Sequence, residues 1–169
     1  MRIRLAKEED IPLLMEIVRR VVSLMRLQGN LQWDEHYPNE AVFREDVSLA
    51  RLWVAEIDDT VAGVVALTTD READYDQADL DNEQPAVVIH RLAVDPSFHG
   101  SGVAKALMQK AEQVATAKGL SLVRTDTNSE NEATRRLFPK KGYRFAGEIS
   151  LRARPNLRFL CYEKHLQDV

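Results

Sequence analysis

The stretch His90-Arg91-Leu92-Ala93-Val94-Asp95-Pro96-Ser97-Phe98-His99-Gly100-Ser101-Gly102-Val103-Ala104 decides how this chain folds. A β-favouring run over 86–94 stops at Asp95-Pro96, and a loop of small residues then enters a helical pattern from about 100 to 118, closed by Gly119. Gly100, Gly102 and Ala104 let the backbone come close to a ligand. The first N–H groups of the helix lack internal acceptors, and with the helix dipole they form an anion site suited to a phosphate or pyrophosphate. A dinucleotide fingerprint would need glycine at 105, where Lys105 stands, and the Gly-Lys-Ser/Thr of a P-loop is absent. A tight turn that binds nothing stays open as the plain alternative.

Working outward, residues 2–6 read as a first strand and 9–28 as a helix with Ile11, Leu14, Met15, Val18, Val21, Val22 and Met25 on one face and Asp10 as its cap. A shorter helix is predicted at 39–49. Strands at 51–57 and 60–68 flank a turn at Asp58-Asp59, followed by an acidic loop over 70–83. After the 86–94 strand and its helix come a strand at 120–126, a helix from near Ser129, and strands at 143–150 and 157–164. This order mixes antiparallel hairpins with a strand–helix–strand crossover. It predicts an α/β fold: a mixed sheet with helices on both faces.

The chain has 169 residues, 44% hydrophobic and 30% charged, which predicts one domain over 1–169 with a real core. A net charge of −4 argues against a nucleic-acid surface. A lone cysteine, Cys161, excludes an internal disulfide, and its apolar strand context reads as a buried hydrophobe. No signal-peptide core or membrane-length apolar run is evident, so a cytoplasmic protein is expected. Four scattered histidines and one cysteine make no metal site.

The glycine turn resembles the acetyl-CoA signature of the GNAT superfamily of N-acetyltransferases, Arg/Gln-x-x-Gly-x-Gly/Ala. Here it reads His99-Gly100-Ser101-Gly102-Val103-Ala104, with His99 in place of the usual Arg or Gln. A second match is Asn131-Glu132-Ala133-Thr134-Arg135-Arg136-Leu137-Phe138-Pro139-Lys140-Lys141-Gly142-Tyr143, similar to the family's Asn-x-x-Ala-x-x-Phe-Tyr-Glu-Lys-x-Gly-Phe. At motif level the resemblance covers about 88–145. It implies acetyl-CoA as cosubstrate, bound by Leu92, Ala93, Val94, the 99–104 turn, Asn131 and Phe138, and an amine as acceptor. It also implies that the 88–94 strand splays from 120–126 to admit the pantetheine arm. A homodimer is a family-based expectation.

Acetyl transfer needs a deprotonated amine, whereas an alkyl ammonium of pKa near ~10 is largely protonated at pH 7. His90 is the first base candidate, because strand alternation puts it on the face of Leu92 and imidazole titrates near neutrality. A structural histidine within the sheet is the competing reading, and Glu83 is the second base candidate. Many relatives carry a tyrosine acid where Phe138 stands, and phenylalanine has no proton to give. Pro139 is expected to end or kink the last helix near Phe138. Ser129 and Glu132 have capping-box spacing, so Asn131 has a structural reading beside its cofactor reading. Trp33 and Tyr37 offer an acceptor wall, or a loop packed on the domain. The acidic loop is either an attractor for a cationic amine or a solvated mobile segment.

Overall fold

The computed structural model describes residues 1–166. One seven-stranded sheet organises them, with strands β1 Arg2–Leu5, β2 Leu52–Ile57, β3 Thr60–Thr68, β4 Val87–Val94, β5 Leu122–Asn128, β6 Arg144–Leu151 and β7 Arg154–His165. The spatial order is β1-β2-β3-β4-β5-β7-β6. All neighbours are antiparallel except β4 and β5. That pair is joined by the crossover helix α3, Val103–Ala117, as a parallel connection requires. Helices α1, Ile11–Leu27, and α2, Glu40–Ser48, precede β2, and α4, Glu132–Lys140, links β5 to β6.

The two faces of the sheet bury different helices. Leu107, Met108, Ala111 and Ala115 of α3 pack with Val65, Val87, Ile89 and Val123 of the strands. Ile11, Leu14, Ile17 and Val18 of α1 and Phe43 of α2 pack with Val54, Val64 and Ala66 on the other face. Alternation along β3 supplies both sets, which is why seven of its nine residues read as a continuous apolar run. The mixed sheet with helices on both faces is the architecture expected, and Cys161 is fully buried on β7. The Asp58-Asp59 turn has both residues at positive φ, the requirement of a tight two-residue hairpin.

Local details differ from expectation for identifiable reasons. Asp10 does not cap α1: its carboxylate accepts two hydrogen bonds from Arg4 at 2.8 Å and one from the Lys7 N–H at 2.7 Å. An ion pair with an adjacent strand outcompetes the cap. The last helix starts at Glu132, not near Ser129, because Asn131 itself caps it, its Oδ1 accepting from the Thr134 N–H at 3.3 Å. Pro139 sits in the final turn of α4, where the missing N–H costs one bond without a break, and α4 ends one residue later. The acidic loop is docked, not free. Its turn Ala73–Gln77 buries Tyr75 against Val88, Ala146, Ile149 and Phe159. Gln77 exchanges hydrogen bonds with the Ser150 backbone, and Arg144 and Arg152 pair with Asp79 and Asp74.

Gly63 of β3 lies against the first turn of α3. A Cβ there would meet Val103 Cγ1 at 2.6 Å and the Ala93 carbonyl oxygen at 2.8 Å. Since one obstacle is backbone, relief requires the strand or the helix start to move. Gly63→Ala is expected to destabilise the fold by about 1–3 kcal/mol, read as a lower urea midpoint at constant m-value. An unchanged midpoint would show that α3 shifts without cost.

Candidate active site

The parallel pairing of β4 with β5 covers only Val87↔Val123, Val88↔Arg124 and Ile89↔Thr125. From His90 onward the edge of β4 that faces β5 has no strand partner, and the two strands part. A bulge accompanies the split. Residues Arg91 and Leu92 occupy the register opposite the single residue Val65, and Arg91 has φ +52°. Such a backbone costs about 1–3 kcal/mol in a non-glycine residue unless its surroundings hold it. Here Arg91 donates through Nε and Nη2 to the buried Asp46 carboxylate at 2.8 and 2.9 Å, and through Nη1 to the Tyr37 hydroxyl at 3.0 Å.

The bulge corrects one sequence expectation. Val87 and Ile89 face α3, so uninterrupted alternation would send Leu92 to the face of Val88 and His90. Instead Leu92 and Val94 pack with the α3 cluster and Ala93 with the α1 cluster. His90 and Leu92 therefore lie on opposite faces, because the extra residue shifts the pleat by one.

A cavity of about 800 Å³ opens where the strands part. Leu92, Ala93, Val94, His99, Gly100, Gly102, Val103, Ala104, Asn131 and Phe138 all line it, and Ser101 does not. Ser101 is exposed and its hydroxyl donates to the Phe98 carbonyl. Gly102 forms the N-terminal boundary of α3 at φ +84° with no side chain capping the helix, so the first amides stay free. A Cβ at Gly100 or Gly102 would meet nothing within 4 Å. Asn131 caps α4 through Oδ1 and also forms part of the cavity wall. Phe138 is buried and packs edge-on against Tyr162, with ring centroids 5.2 Å apart.

The rest of the wall comes from α1, the connection after it and the β6–β7 turn: Met25, Gln28, Trp33, Tyr37 and Arg154. Trp33 is buried and Tyr37 half-buried, so packing and wall coexist. Of the basic residues on and just after α4, Arg135, Arg136, Lys140 and Lys141, Lys141 reaches the cavity, whereas Arg136 pairs with Glu132 on the exposed face.

His90 lines the cavity at the apex of the split, with Nε2 3.3 Å from Glu72 Oε1. The hydrogen bond from His90 holds the Glu72 carboxyl below the usual carboxylate range, against the opposing effect of its burial. When Nε2 carries the proton toward Glu72, Nδ1 is the lone-pair nitrogen of the neutral ring. Asp126, one residue past the last paired position of β5, lines the cavity beside it and accepts from the Tyr75 hydroxyl at 2.5 Å. Burial pushes the Asp126 carboxyl up, and the Tyr75 hydrogen bond and His90 oppose that. Glu83 is exposed and outside the cavity, so the structure does not bring it to His90. Glu72 and Asp126 are not among the site residues expected from the sequence. Glu72 lay among seven acids with nothing to single it out. Asp126 carried a signal, the one carboxylate in the strand expected to splay from β4. Among the described residues no group of three or more His, Cys, Asp or Glu is placed to hold a metal ion. None of their helices is long and apolar enough to cross a membrane.

At the rim, Arg154 Nη1 pairs with Asp34 Oδ2 at 2.9 Å. The Arg154 hydrogen bond first, then the His36 and Tyr37 N–H groups, bring the Asp34 carboxyl down to about 2. A carboxyl lowered on folding adds stability above its ordinary pKa near ~4. That stability is lost as pH falls through about 2, and rim exposure keeps it small. Arg154→Gln should raise the Asp34 pKa part of the way toward ~4 in a carboxyl NMR titration. No change would assign the whole effect to the two backbone donors.

Comparison with known proteins follows the same outline. The model of the Acetyltransferase (GNAT) family matches residues 18–143. N-acetylaspartate synthetase of Homo sapiens is 34% identical over 95 residues, which are 56% of this chain and 28% of that protein. The crystal structure of a GNAT-family acetyltransferase from Streptococcus agalactiae superimposes with a TM-score of 0.84 at 25% identity, covering 99% of this chain and 96% of that one. The putative acetyltransferase yncA of Salmonella typhimurium, solved with its cofactor acetyl-CoA, shares the fold at a TM-score of 0.71 and 18% identity, covering 100% and 95%. A free helix N-terminus beside an unpaired strand edge, within a sheet of this order and a family match over most of the chain, has one assignment: the chain belongs to the GNAT acetyltransferase family.

Proposed function

We propose that this chain transfers an acetyl group from acetyl-CoA to the primary amine of a small molecule, with His90 as proton acceptor. The observation that carries the reading is the convergence, in one cavity, of the uncapped α3 amides, the unpaired β4 edge and an imidazole backed by a carboxylate.

The residues present fit acetyl-CoA. The 99–104 turn offers free amides and open space for a pyrophosphate. The β4 edge from His90 to Val94 offers backbone groups to an amide-bearing arm, and Asn131 and Phe138 close the α4 side. When bound, acetyl-CoA supplies the thioester and the thiol leaving group. Glu72 keeps the His90 lone pair on Nδ1, ready to take the proton that the ammonium must lose. Phe138 offers no acid, and a thiol of pKa near ~8.5 leaves readily enough for solvent to protonate it. The Arg154–Asp34 pair joins the β6–β7 turn to the α1–α2 connection on the acceptor side. That bridge favours a small acceptor over a polypeptide. The human relative's name describes a small N-acetylated product, which supports the same choice. We further take 1–169 as one catalytic domain acting in the cytoplasm, with a homodimer as the family-based expectation.

A thiol-release assay across alkylamines, arylalkylamines, amino acids and peptides tests the reading. Turnover on small amines supports it, turnover on peptides alone redirects it to proteins, and retained acetyl-CoA binding without turnover makes the chain an acyl-CoA-binding module. Gly102→Asp should abolish acetyl-CoA binding in calorimetry while the fold persists, because the carboxylate repels pyrophosphate at a position with free space. Unchanged affinity would move the phosphate site elsewhere. His90→Gln should lower kcat by about 10²–10⁴ at neutral pH, with acetyl-CoA affinity nearly unchanged. The deficit should shrink as pH rises and free amine becomes abundant. Wild-type turnover across pH 6 to 9 would make the histidine structural.

A further inference from the structure

Four carboxylates buried within the described residues each have an arginine: Asp10 with Arg4, Asp46 with Arg91 and Arg51, Asp95 with Arg20, and Glu163 with Arg124. That is the ordinary solution to removing a negative charge from water. Asp126, half-buried on the cavity wall, departs from it. It lies in the cavity wall with no ion pair among the described residues, and its one hydrogen bond comes from a neutral phenol, Tyr75 Oη to Oδ1. Tyr75 is itself buried, in the docked acidic loop, so this contact fixes the orientation of the carboxyl group. Oδ2 has no partner among the described residues.

The position is equally specific. The last β4–β5 pair is Ile89↔Thr125, so His90 and Asp126 are the first residues on either side of the opening. The groups facing Asp126 are His90 from β4, Glu72 and Tyr75 from the acidic loop and Cys161 from β7. None is a permanent cation. Arg124, two residues back, is engaged by Glu163 and the Asp81 carbonyl. The site thus holds an oriented carboxyl group, pushed toward its neutral form by burial, that no permanent cation of the described residues faces and that a cation from outside would hold in its charged form.

We propose that Asp126 is the ammonium-binding residue of the acceptor site, taking the substrate's –NH₃⁺ on Oδ2 beside His90 and selecting primary alkylammonium ions over neutral molecules of the same shape. The inference rests on the acetyl transfer proposed above and names the group by which that reaction recognises its acceptor. Asp126 binds the cation, and His90 Nδ1 takes one proton from it. The freed nitrogen lone pair forms the N–C bond to the thioester carbonyl carbon as the C–S bond breaks. Sulfur takes one proton from solvent to leave as thiol. The amide nitrogen gives its second proton to solvent and His90 returns the first, so one turnover releases one proton net.

The test pairs a variant with a wild-type measurement. Asp126→Asn keeps the shape and the Oδ1 acceptor for Tyr75. Its KM for the best amine of the panel should rise about 10–100-fold, with acetyl-CoA affinity by calorimetry unchanged, whereas His90→Gln acts chiefly on kcat. In wild type, n-butanol and 2-phenylethanol should inhibit at least about tenfold more weakly than n-butylamine and phenethylamine compete at pH 7. That gap should collapse in Asp126→Asn. An unchanged amine KM in the variant, or equal binding of amine and alcohol in wild type, overturns the role of Asp126 and leaves acetyl transfer standing. Absence of wild-type turnover on every amine overturns both. If Asp126→Asn does not fold, the wild-type amine–alcohol comparison decides alone.

Discussion

The bidentate grip of Arg91 on Asp46 is the constraint from which the site follows. Arg91 is the bulge residue of β4, held at a positive φ that its side chain would not choose. Two hydrogen bonds to a fully buried carboxylate and one to Tyr37 over-determine that backbone. Burial of the guanidinium opposes its charge, but Tyr37 and Asp46 keep it firmly protonated. With the bulge fixed, β4 turns its next residues by one position, the pairing with β5 ends at Ile89, and a cavity exists. The same grip ties β4 to α2 and to the connection carrying Trp33 and Tyr37. One ion pair therefore sets the strand edge, the opening and part of the cavity wall.

The charges around the opening fall into two kinds. Away from it, acids and arginines neutralise one another: Arg124 with Glu163 beneath the acidic loop, Asp95 with Arg20 at the entrance to α3, Asp34 with Arg154 at the rim. At the apex, Glu72 meets an imidazole and Asp126 meets a phenol. Weak partners leave these groups without a fixed counter-charge, whereas a carboxylate paired with a guanidinium is already compensated. The α3 end of the cavity is built on the opposite principle, with no side chain at all. Bare amides and two glycines at positive φ present the backbone itself.

Sequence by itself determined the layered architecture, because period-2 and period-3.6 apolar patterns and Gly/Pro punctuation are local properties. It also determined the 99–104 turn and the Asn131 segment, whose roles depend on backbone freedom and helix-end chemistry within a few residues. His90 was visible as a titratable group in an apolar strand. Tertiary structure decided the rest. The bulge at Arg91 depends on Asp46, 45 residues away, so alternation counted along the strand put His90 and Leu92 on one face when the fold separates them. Asp10 and Ser129 satisfied local capping patterns, yet Arg4 of β1 claimed the first and a neighbouring asparagine replaced the second. The acidic loop looked solvated because its composition is polar, and what docks it, Tyr75 in an apolar cluster with hydrogen bonds and ion pairs to the β6–β7 hairpin, comes from residues far along the chain. Glu72 and Asp126 became members of the site only because that loop and the end of β5 meet beside His90. No periodicity along the chain encodes such a meeting, since a carboxylate's role is set by which charges lie near it in space.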